Sequence, residues 1–159
     1  NTFQLLRKKL ERCKKTDDIW FIGTCYVENK FMEDWGYQKI LKAALKDAGD
    51  ANVTYFPHRY ESAEKLETIE ALGFNVAHTG MPLETWIAAQ QKIPKRIYAI
   101  ASSAIDNISY MLGGQIPIHL YRPPSAFLKR KELLKPINDV IDGHVQNGHG
   151  AVTVLKIDL

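Results

Sequence analysis

Two consecutive serines, Ser102 and Ser103, are the residues of this chain best suited to holding a phosphate. They follow an apolar, β-rich run and precede a helical pattern, which places them where a strand ends and a helix begins. Serine hydroxyls, free backbone N–H groups and the positive end of the helix dipole together make an anion-binding site. The pair could instead only cap the helix, with Ser103 as the cap and Asp106 three residues on, as in a variant capping box. Both interpretations stay open, because a cap and a phosphate use the same N–H groups.

His58 is the residue best suited to proton transfer. An imidazole can donate a hydrogen bond to a phosphate oxygen and, with an ordinary pKa near ~6.5, can pass a proton to a leaving group. The neighbouring Arg59 could add a bidentate contact to the same phosphate. The alternative is a loop histidine held only by local hydrogen bonds. His78, which follows a later β-rich run, is expected to be structural.

Glu84 and the pair Gly23 and Thr24 complete the set of candidate ligand-binding residues. Glu84 stands in the first turn of a predicted helix, where its carboxylate could accept hydrogen bonds from a ribose diol or only interact favourably with the helix dipole. Gly23 and Thr24 end an apolar run, and a glycine there lets a ligand approach the backbone closely. The chain has no G-x-G-x-x-G and no G-K-[ST] sequence, which argues against a standard dinucleotide-binding fold and a P-loop NTPase.

Metal and thiol chemistry find no support in the sequence. The chain has no C-x-x-C pair, no H-E-x-x-H sequence and no dense group of His and Asp, so we predict no metal site. Cys13 and Cys25 are too few for a disulfide framework, and we interpret them as free thiols in a reducing compartment. Cys25 follows the first predicted strand, but no motif marks it as a nucleophile.

The size and charge of the chain narrow the classes of function. With 159 residues, it is long enough for one domain spanning residues 1–159. A net charge of +3 suits anionic ligands but is far from the dense basic patch of a nucleic-acid binder. The longest apolar runs, about six residues, are too short to cross a bilayer. The amino terminus lacks the apolar stretch of a signal peptide, so we expect a cytoplasmic protein; because it also lacks an initiator Met, we expect a processed or truncated chain.

Short β-rich runs alternate along the chain with helical patterns. Strands are predicted over 19–24, 53–56, 74–77, 96–101, 116–121 and 151–157. Helices are predicted over 34–48, from Ser62 to Gly73, over 82–91, over 103–112, and over 127–145 with a kink at Pro136. This alternation predicts an α/β fold: a doubly wound, mostly parallel sheet with helices on both faces, Rossmann-like in type.

The predicted sheet brings the candidate residues to one edge. Parallel strands joined by right-handed crossovers end on the same side, and open α/β sheets bind their ligands along that side. The residues at the carboxyl ends of successive predicted strands are small, hydroxyl-bearing or potentially cationic: Gly23-Thr24, His58-Arg59, His78-Thr79-Gly80 and Ser102-Ser103. Such a set suits a phosphate.

The motifs occur together in a recognisable combination. Three of them, Tyr55-Phe56-Pro57-His58-Arg59 with Glu61, Gly80-Met81-Pro82-Leu83-Glu84, and Ala101-Ser102-Ser103-Ala104, resemble the donor half of bacterial sialyltransferases. The likeness is strongest to the lipooligosaccharide sialyltransferase family, followed by the polysialyltransferases and the marine-type enzymes. The run Phe21-Ile22-Gly23-Thr24 is similar to the start of their carboxyl-terminal nucleotide-binding domain. The resemblance covers about Asp18 to Pro124.

This resemblance implies one half of a GT-B glycosyltransferase that uses CMP-sialic acid as its donor and needs no metal or further cofactor. The reaction would be inverting transfer of the sugar to a hydroxyl of a surface glycan, in lipooligosaccharide or capsule. His58 would contact the donor phosphate and assist the departure of CMP, Glu84 would bind the ribose, and Ser102 and Ser103 would hold the phosphate.

The chain departs from the family in two ways. Related families often have the order His-Pro, whereas here Pro57 precedes His58, which affects the placement of the ring. Their general base also lies in an amino-terminal domain for which this chain has no room. It is therefore either the carboxyl-terminal half of a longer enzyme or a protein that binds a nucleotide without the full transfer machinery.

Other functions remain open at this stage. They are a non-catalytic nucleotide-binding module, a GT-B enzyme with another nucleotide sugar (Kdo and other CMP-linked acids included), and an interaction domain without a nucleotide. The last is disfavoured in its response-regulator form because the strand ends lack clustered acids. Residues 125–159 could pack on a second copy of the chain. The basic residues from Lys129 to Lys135 could lie against the inner membrane, although a solvated face is the simpler interpretation.

Overall fold

The computed structural model, which describes residues 2–148 and 150–158, has a central sheet of six parallel strands. The strands of the described residues are β1 (Lys14–Lys15), β2 (Ile19–Ile22), β3 (Val53–Phe56), β4 (Asn75–Val76), β5 (Lys92–Ile93), β6 (Arg96–Ala99), β7 (Ile118–Arg122) and β8 (Val152–Lys156). The sheet has the order β4-β3-β2-β6-β7-β8, and all its pairings are parallel. The prediction of a doubly wound, Rossmann-like α/β fold is confirmed.

Six α-helices accompany these strands in the described part of the chain. They are α1 (Thr2–Leu10), α2 (Asp34–Ala48), α3 (Ala63–Leu72), α4 (Leu83–Ala89), α5 (Ala104–Leu112) and α6 (Leu134–Asn147). The limits of α2 and α3 follow the sequence signals for helix ends. The Ser62 hydroxyl accepts a hydrogen bond from the Lys65 N–H at 3.2 Å, and α3 ends at Gly73 in the left-handed conformation that favours glycine.

Helices cover both faces of the sheet, as two neighbouring residues of β2 show. Trp20 and Phe21 point to opposite faces because successive side chains of a strand alternate. The Trp20 ring lies 5.5 Å from the ring of Trp86 in α4. The Phe21 ring stacks on Tyr55 at 5.5 Å, and the Tyr55 hydroxyl is hydrogen-bonded at 2.6 Å to Tyr37 of α2. With both faces covered, β2 is buried at every residue.

The prediction of one long helix over 127–145 is wrong. Two 3-10 turns, Ser125–Phe127 and Lys131–Leu133, precede α6, and Pro136 lies in the first turn of α6 instead of kinking a longer helix. The cause is a tertiary contact. The backbone N–H of Glu33 donates to the carbonyl of Phe127 at 2.8 Å, and that of Lys129 donates to the carbonyl of Phe31 at 3.0 Å. These bonds to the segment before α2 replace the bonds of a continuous helix.

Three further elements have no counterpart among the predictions: α1, β1 and β5. Strand β1 pairs with β5, so the helix predicted over 82–91 ends at Ala89 and the chain turns into β5. Helix α1 packs on α5, with Leu10 fully buried. Both short strands immediately precede strands of the main sheet, which places them at its amino edge. Within residues 2–148 and 150–158, every helix is too short or too polar to span a membrane.

Candidate functional site

A cleft of about 750 Å³ opens at the carboxyl edge of the sheet. The strand order reverses between β2 and β6, and in open α/β sheets the crevice beyond such a reversal is where ligands bind. The cleft is lined by the ends of β2, β3 and β6 and by the start of α4. The candidate residues that line it are Gly23, His58, Arg59, Glu84, Ser102 and Ser103.

His58 is half-buried and has a defined tautomer. The backbone N–H of Tyr60 donates to Nδ1 at 3.2 Å, so Nδ1 carries no proton and Nε2–H is the donor of the neutral ring. Burial lowers the pKa of His58, and the adjacent Arg59 cation lowers it further. The ring is therefore set up as a neutral hydrogen-bond donor, and an anion in the cleft would raise its pKa again.

Arg59 occupies the outer part of the cleft. Its side chain is exposed, with the guanidinium carbon 4.7 Å from the centre of the Tyr60 ring. Met81, also exposed, lines the cleft next to the start of α4. His78 is exposed and is absent from the described lining of the cleft.

The two serines differ in what their hydroxyls do. The Ser102 hydroxyl accepts a hydrogen bond from the Ala104 N–H at 3.3 Å, at the start of α5. Ser103 stands at the cap position of α5, but it has helical backbone angles and forms no side-chain cap bond within the described residues, which disfavours the alternative in which its hydroxyl caps the helix. Asp106 completes no capping box, because its carboxylate is bonded to Nδ1 of His144 in α6 at 2.8 Å. The exposed Ser103 hydroxyl is thus left available to a ligand.

Glu84 stands between two helices at the cleft. It lies in the first turn of α4, as predicted, where the helix dipole favours a carboxylate. Its Oε1 accepts a hydrogen bond from the side-chain amide of Asn107 in α5 at 3.2 Å. Asn107 was not among the candidate residues, and it orients the carboxylate toward the same helix start that carries the serines.

Thr24 lies outside the cleft, although it was predicted to bind the ligand. It is 4% exposed, and both of its backbone polar groups form hydrogen bonds inside the protein. Its N–H donates to the Tyr37 hydroxyl at 3.2 Å, and its carbonyl accepts from Lys65 Nζ at 2.9 Å. We therefore leave Thr24 out of the candidate site.

The side chains packed around residue 23 leave room only for a glycine. A Cβ on residue 23 would collide with the Tyr55 hydroxyl and would lie 2.8 Å from Glu61 Oε1. The glycine thus lets these two polar side chains pack directly behind the cleft wall. Gly23 was predicted to let a ligand approach the backbone closely, and the structure shows that it also lets Tyr55 and Glu61 do so.

Behind Gly23 lies a buried polar group that the sequence interpretation missed, the Lys65 cluster, made of Lys65, Glu61, Glu28, Tyr37 and Tyr55. Lys65 Nζ is 3.1 Å from Glu61 Oε1, 3.3 Å from Glu28 Oε2 and 3.9 Å from the centre of the Tyr37 ring. Burial raises the pKa of Glu61 to about 7, in spite of the Lys65 ammonium. Glu61 and Lys65 are four residues apart, a spacing typical of surface ion pairs, and only the tertiary structure shows that this pair is buried.

Metal binding has no candidate in the described ranges, where no three His, Cys, Asp or Glu residues are grouped as metal ligands. Both cysteines are free thiols there, as predicted. The cleft instead combines a helix start with two serines, a neutral imidazole and an oriented carboxylate, which together can bind a phosphate and a diol. Comparison of the chain with models of protein families, with curated proteins and with solved structures found no match.

Proposed function

We propose that this domain binds CMP-sialic acid and serves as the donor half of a sialyltransferase-like glycosyltransferase that transfers the sugar to a surface glycan. The observation that carries the proposal is that one cleft, where the strand order of the sheet reverses, is lined by residues from three separate stretches of the chain. These residues are His58, Glu84, Ser102 and Ser103. Their groups match a nucleoside monophosphate, which presents a phosphate and a ribose diol. The choice of the nucleobase in CMP, and of sialic acid as the sugar, comes from the resemblance to the lipooligosaccharide sialyltransferase family.

The phosphate belongs at the start of α5. Free N–H groups, the helix dipole and the Ser103 hydroxyl favour an anion there, while Ser102 already orders the first turn. The negative charge on the phosphate grows as the bond between the sugar and CMP breaks. Groups that are already in position for that charge lower the barrier, because they need no reorganisation during the reaction.

His58 acts on the leaving group. Its Nε2–H donates to a phosphate oxygen, and the charge that develops there raises the pKa of the imidazole, so that it can protonate the departing phosphate. As the anomeric C–O bond breaks, its electron pair goes to that oxygen. The acceptor hydroxyl forms the new glycosidic bond and gives up its proton to a base.

The general base that takes the proton of the acceptor hydroxyl is supplied by a part of the enzyme beyond the described residues. Within these residues, the acidic residues that line the cleft are Glu84 and Glu61, and the side chain of Glu61 is fully buried. Glu61 is buried against Lys65, and Glu84 is bonded to Asn107 and assigned here to the ribose. The same observation favours a second candidate function, a nucleotide-binding module without catalysis.

The proposal includes a cytoplasmic location, where free thiols such as Cys13 and Cys25 persist. The basic residues before and within α6 give little support to membrane contact, because each is already engaged. Their partners are Glu33 for Lys129, Glu132 for Arg130, backbone carbonyls for Lys131 and Asp139 for Lys135.

Titration calorimetry with CMP, cytidine and UMP tests the proposal. We expect CMP to bind most tightly, and the double variant Ser102→Ala/Ser103→Ala to lose the preference for CMP over cytidine. The matched control is Ser125→Ala, an exposed serine that starts a 3-10 turn elsewhere. Equal binding of CMP and UMP would contradict the choice of nucleotide. Binding of CMP without sugar transfer, even alongside the domain that carries the base, would favour the non-catalytic module.

A further inference from the structure

Basic side chains are concentrated in two short segments at the amino edge of the sheet. Residues 7–15 and 92–95 hold eight basic side chains and one acidic side chain, Glu11, so these segments carry a net charge of +7. The whole chain carries only +3, and the rest of it is therefore net negative. Strands β1 and β5 lie in these segments and pair with each other, which brings the two groups of charges together. Such an asymmetry is typical of a surface that faces anions.

Helix α1 turns one side to the domain and the opposite side to solvent. Leu10 is fully buried against the domain. Leu5, Lys8 and Arg12 are exposed and are spaced by three and four residues, so they share the opposite side of the helix and of the turn that ends it. Leu5 is 69% exposed, which leaves an apolar side chain in water beside the cations.

A groove of about 520 Å³ lies between this side of α1 and the segment that follows α4. The basic side chains that line it are Lys8, Lys9 and Arg12, and Gln91 adds a side-chain amide. The described lining of the groove includes no acidic residue, and its volume is in the range of small-ligand sites. Ammonium, guanidinium and amide N–H groups all donate hydrogen bonds to phosphate oxygens. The groove can therefore hold a phosphate group.

Two lysines lie side by side next to this groove. Lys14 and Lys92 are register partners on the neighbouring strands β1 and β5, and both are exposed. Like charges directly opposite each other on two strands destabilise the pairing. The residues just before them, Cys13 and Gln91, line the groove, so the lysine pair adjoins it. An anion bound beside the pair would remove the repulsion.

These cations differ from the basic residues before and within α6, because they have no acidic partner. Within residues 2–148 and 150–158, no salt bridge is formed by Lys8, Lys9, Arg12, Lys14 or Lys92. Lys9 donates to the carbonyl of Ala88 at 2.6 Å, and its ammonium has two further N–H donors. Glu11 is occupied by Arg7, at 3.5 Å. The positive charge is thus left for a partner outside the described residues.

We propose that this basic face, made of Leu5, Lys8, Lys9, Arg12, Lys14 and Lys92, docks on the surface of an anionic phospholipid bilayer. The phosphate of a lipid headgroup enters the groove, and Leu5 inserts at the boundary with the acyl chains. A bilayer presents many headgroups at once, which suits cations that are spread over a helix and two strands. Nucleic acid fits less well, because the described lining of the groove includes no aromatic ring on which a base could stack.

Docking in this way leaves the cleft accessible. The β1–β5 pair lies at the amino edge of the sheet and the cleft at the carboxyl edge. The inference therefore does not depend on which ligand the cleft binds, and the two sites can be tested separately.

Co-sedimentation with lipid vesicles tests the proposal. We expect the chain to bind vesicles made of equal parts of phosphatidylglycerol and phosphatidylcholine, to leave pure phosphatidylcholine vesicles unbound, and to lose its binding as salt screens the charges. The triple variant Lys8→Gln/Arg12→Gln/Lys92→Gln should bind the anionic vesicles roughly a hundredfold more weakly, at about fivefold for each charge removed. Wild-type binding that is absent, or equal on both kinds of vesicle, would refute the proposal.

The matched control removes the same charge from the exposed side of α2, in the variant Lys39→Gln/Lys42→Gln/Lys46→Gln. It should bind the anionic vesicles like the wild type. Equal weakening of both triple variants would overturn the proposal, because binding would then follow net charge and not the basic face. Leu5→Gln supplies a second readout, since it keeps every charge and should still weaken binding to vesicles. Unchanged vesicle binding by Leu5→Gln would show that no side chain inserts and would contradict bilayer docking.

Other anionic partners are separated by competition. Tighter binding to polyglutamate or to single-stranded RNA than to the anionic vesicles would assign the face to a protein or a nucleic acid instead. Displacement from vesicles by millimolar glycerol phosphate would assign the groove to a soluble phosphate. Calorimetry with CMP should give the same affinity for the first triple variant as for the wild type. Loss of vesicle binding with CMP binding intact is thus distinct from a failure of the proposed function.

Discussion

At the residue scale, the environment of each side chain decides its chemistry more than its type does. Thr24 and Ser103 both carry hydroxyls at strand or helix ends, yet Thr24 is buried away from the cleft and Ser103 is exposed in it. Glu61 and Glu84 are both acids that line the cleft. Burial raises the pKa of Glu61, whereas Glu84 lies in the first turn of α4 and accepts a hydrogen bond from Asn107.

The raised pKa of Glu61 predicts a loss of stability in base. Its ordinary pKa of 4.5 becomes about 7 in the folded state, so the folded protein holds a proton that the unfolded chain releases between these values. The stabilisation this provides is complete below about pH 4.5 and is lost as the pH rises through about 7. Urea unfolding at pH 5 and pH 8 should show the wild type losing up to ~3 kcal/mol relative to Glu61→Gln. Equal losses in the two proteins would mean that Glu61 has no raised pKa.

His58→Ala should weaken CMP binding without unfolding the domain. Removing a hydrogen bond to a charged phosphate costs about 1.5–3 kcal/mol, or roughly tenfold to a hundredfold in the dissociation constant. The control is His78→Ala, which changes an exposed histidine that is absent from the described lining of the cleft and should bind CMP like the wild type. Calorimetry measures the affinity for CMP, and thermal melting measures the stability of each variant. A lower melting temperature with unchanged affinity would make His58 a structural loop residue.

At the scale of single elements, the ends of strands and helices carry the site, and small residues set the distances between them. Gly23 at the end of β2 admits Tyr55 and Glu61. Gly36 in α2 does the same for Phe127, since a Cβ there would lie 2.7 Å from the Cβ of Phe127. These close approaches join elements that are far apart in the chain, so the glycines act on tertiary packing and not only on local backbone conformation.

Gly23→Ala should therefore destabilise the domain and disturb the cleft. The added methyl group must push Tyr55 and Glu61 aside, and overpacking of this kind costs about 1–3 kcal/mol. Gly143→Ala is the control. Its new Cβ would have no described atom within 4 Å, and replacing a glycine inside α6 should stabilise the helix by about 0.5–1 kcal/mol. Urea unfolding measures both. A neutral effect of Gly23→Ala would show that the Lys65 cluster adapts without cost.

At the scale of the whole molecule, the cleft and the β1–β5 pair lie at opposite edges of the sheet. The cleft occupies the carboxyl edge, whereas β1 and β5 pair at the amino edge, just before β2 and β6 begin. Helix α1 packs near the carboxyl-terminal end of α5, where a Cβ on Gly113 would meet the Arg7 side chain. The amino-terminal helix is thus part of the packed domain without contributing to the cleft.

Leu10→Ala tests this separation. Leu10 is fully buried where α1 meets the domain, and truncating such a side chain costs about 2–5 kcal/mol. Because the change lies far from the cleft, the folded variant should bind CMP within about twofold of the wild type. Denaturant unfolding and calorimetry at a temperature where the variant is folded provide the two values. A large loss of affinity would show that the two edges are energetically coupled.

The sequence by itself determined the elements with strong local patterns and the polarity of the strand ends. The apolar spacing of α2, the cap and glycine of α3 and the run of β3 all act over a few residues, and these elements lie where they were predicted. The alternation of strands and helices then predicts a parallel sheet, because a short connection through a helix returns each strand in the same direction.

Only the tertiary structure decided what each side chain touches. The burial of Glu61, and with it the pKa of its carboxyl, depends on the nearby Tyr55 and Lys65 and on Gly23, which approaches it from a distant part of the chain. The turns before α6 likewise depend on backbone bonds to the segment before α2. Periodicity reports the conformation of a segment, whereas desolvation and long-range contacts belong to the folded chain as a whole, which is why the acid behind the cleft was not predicted from the sequence.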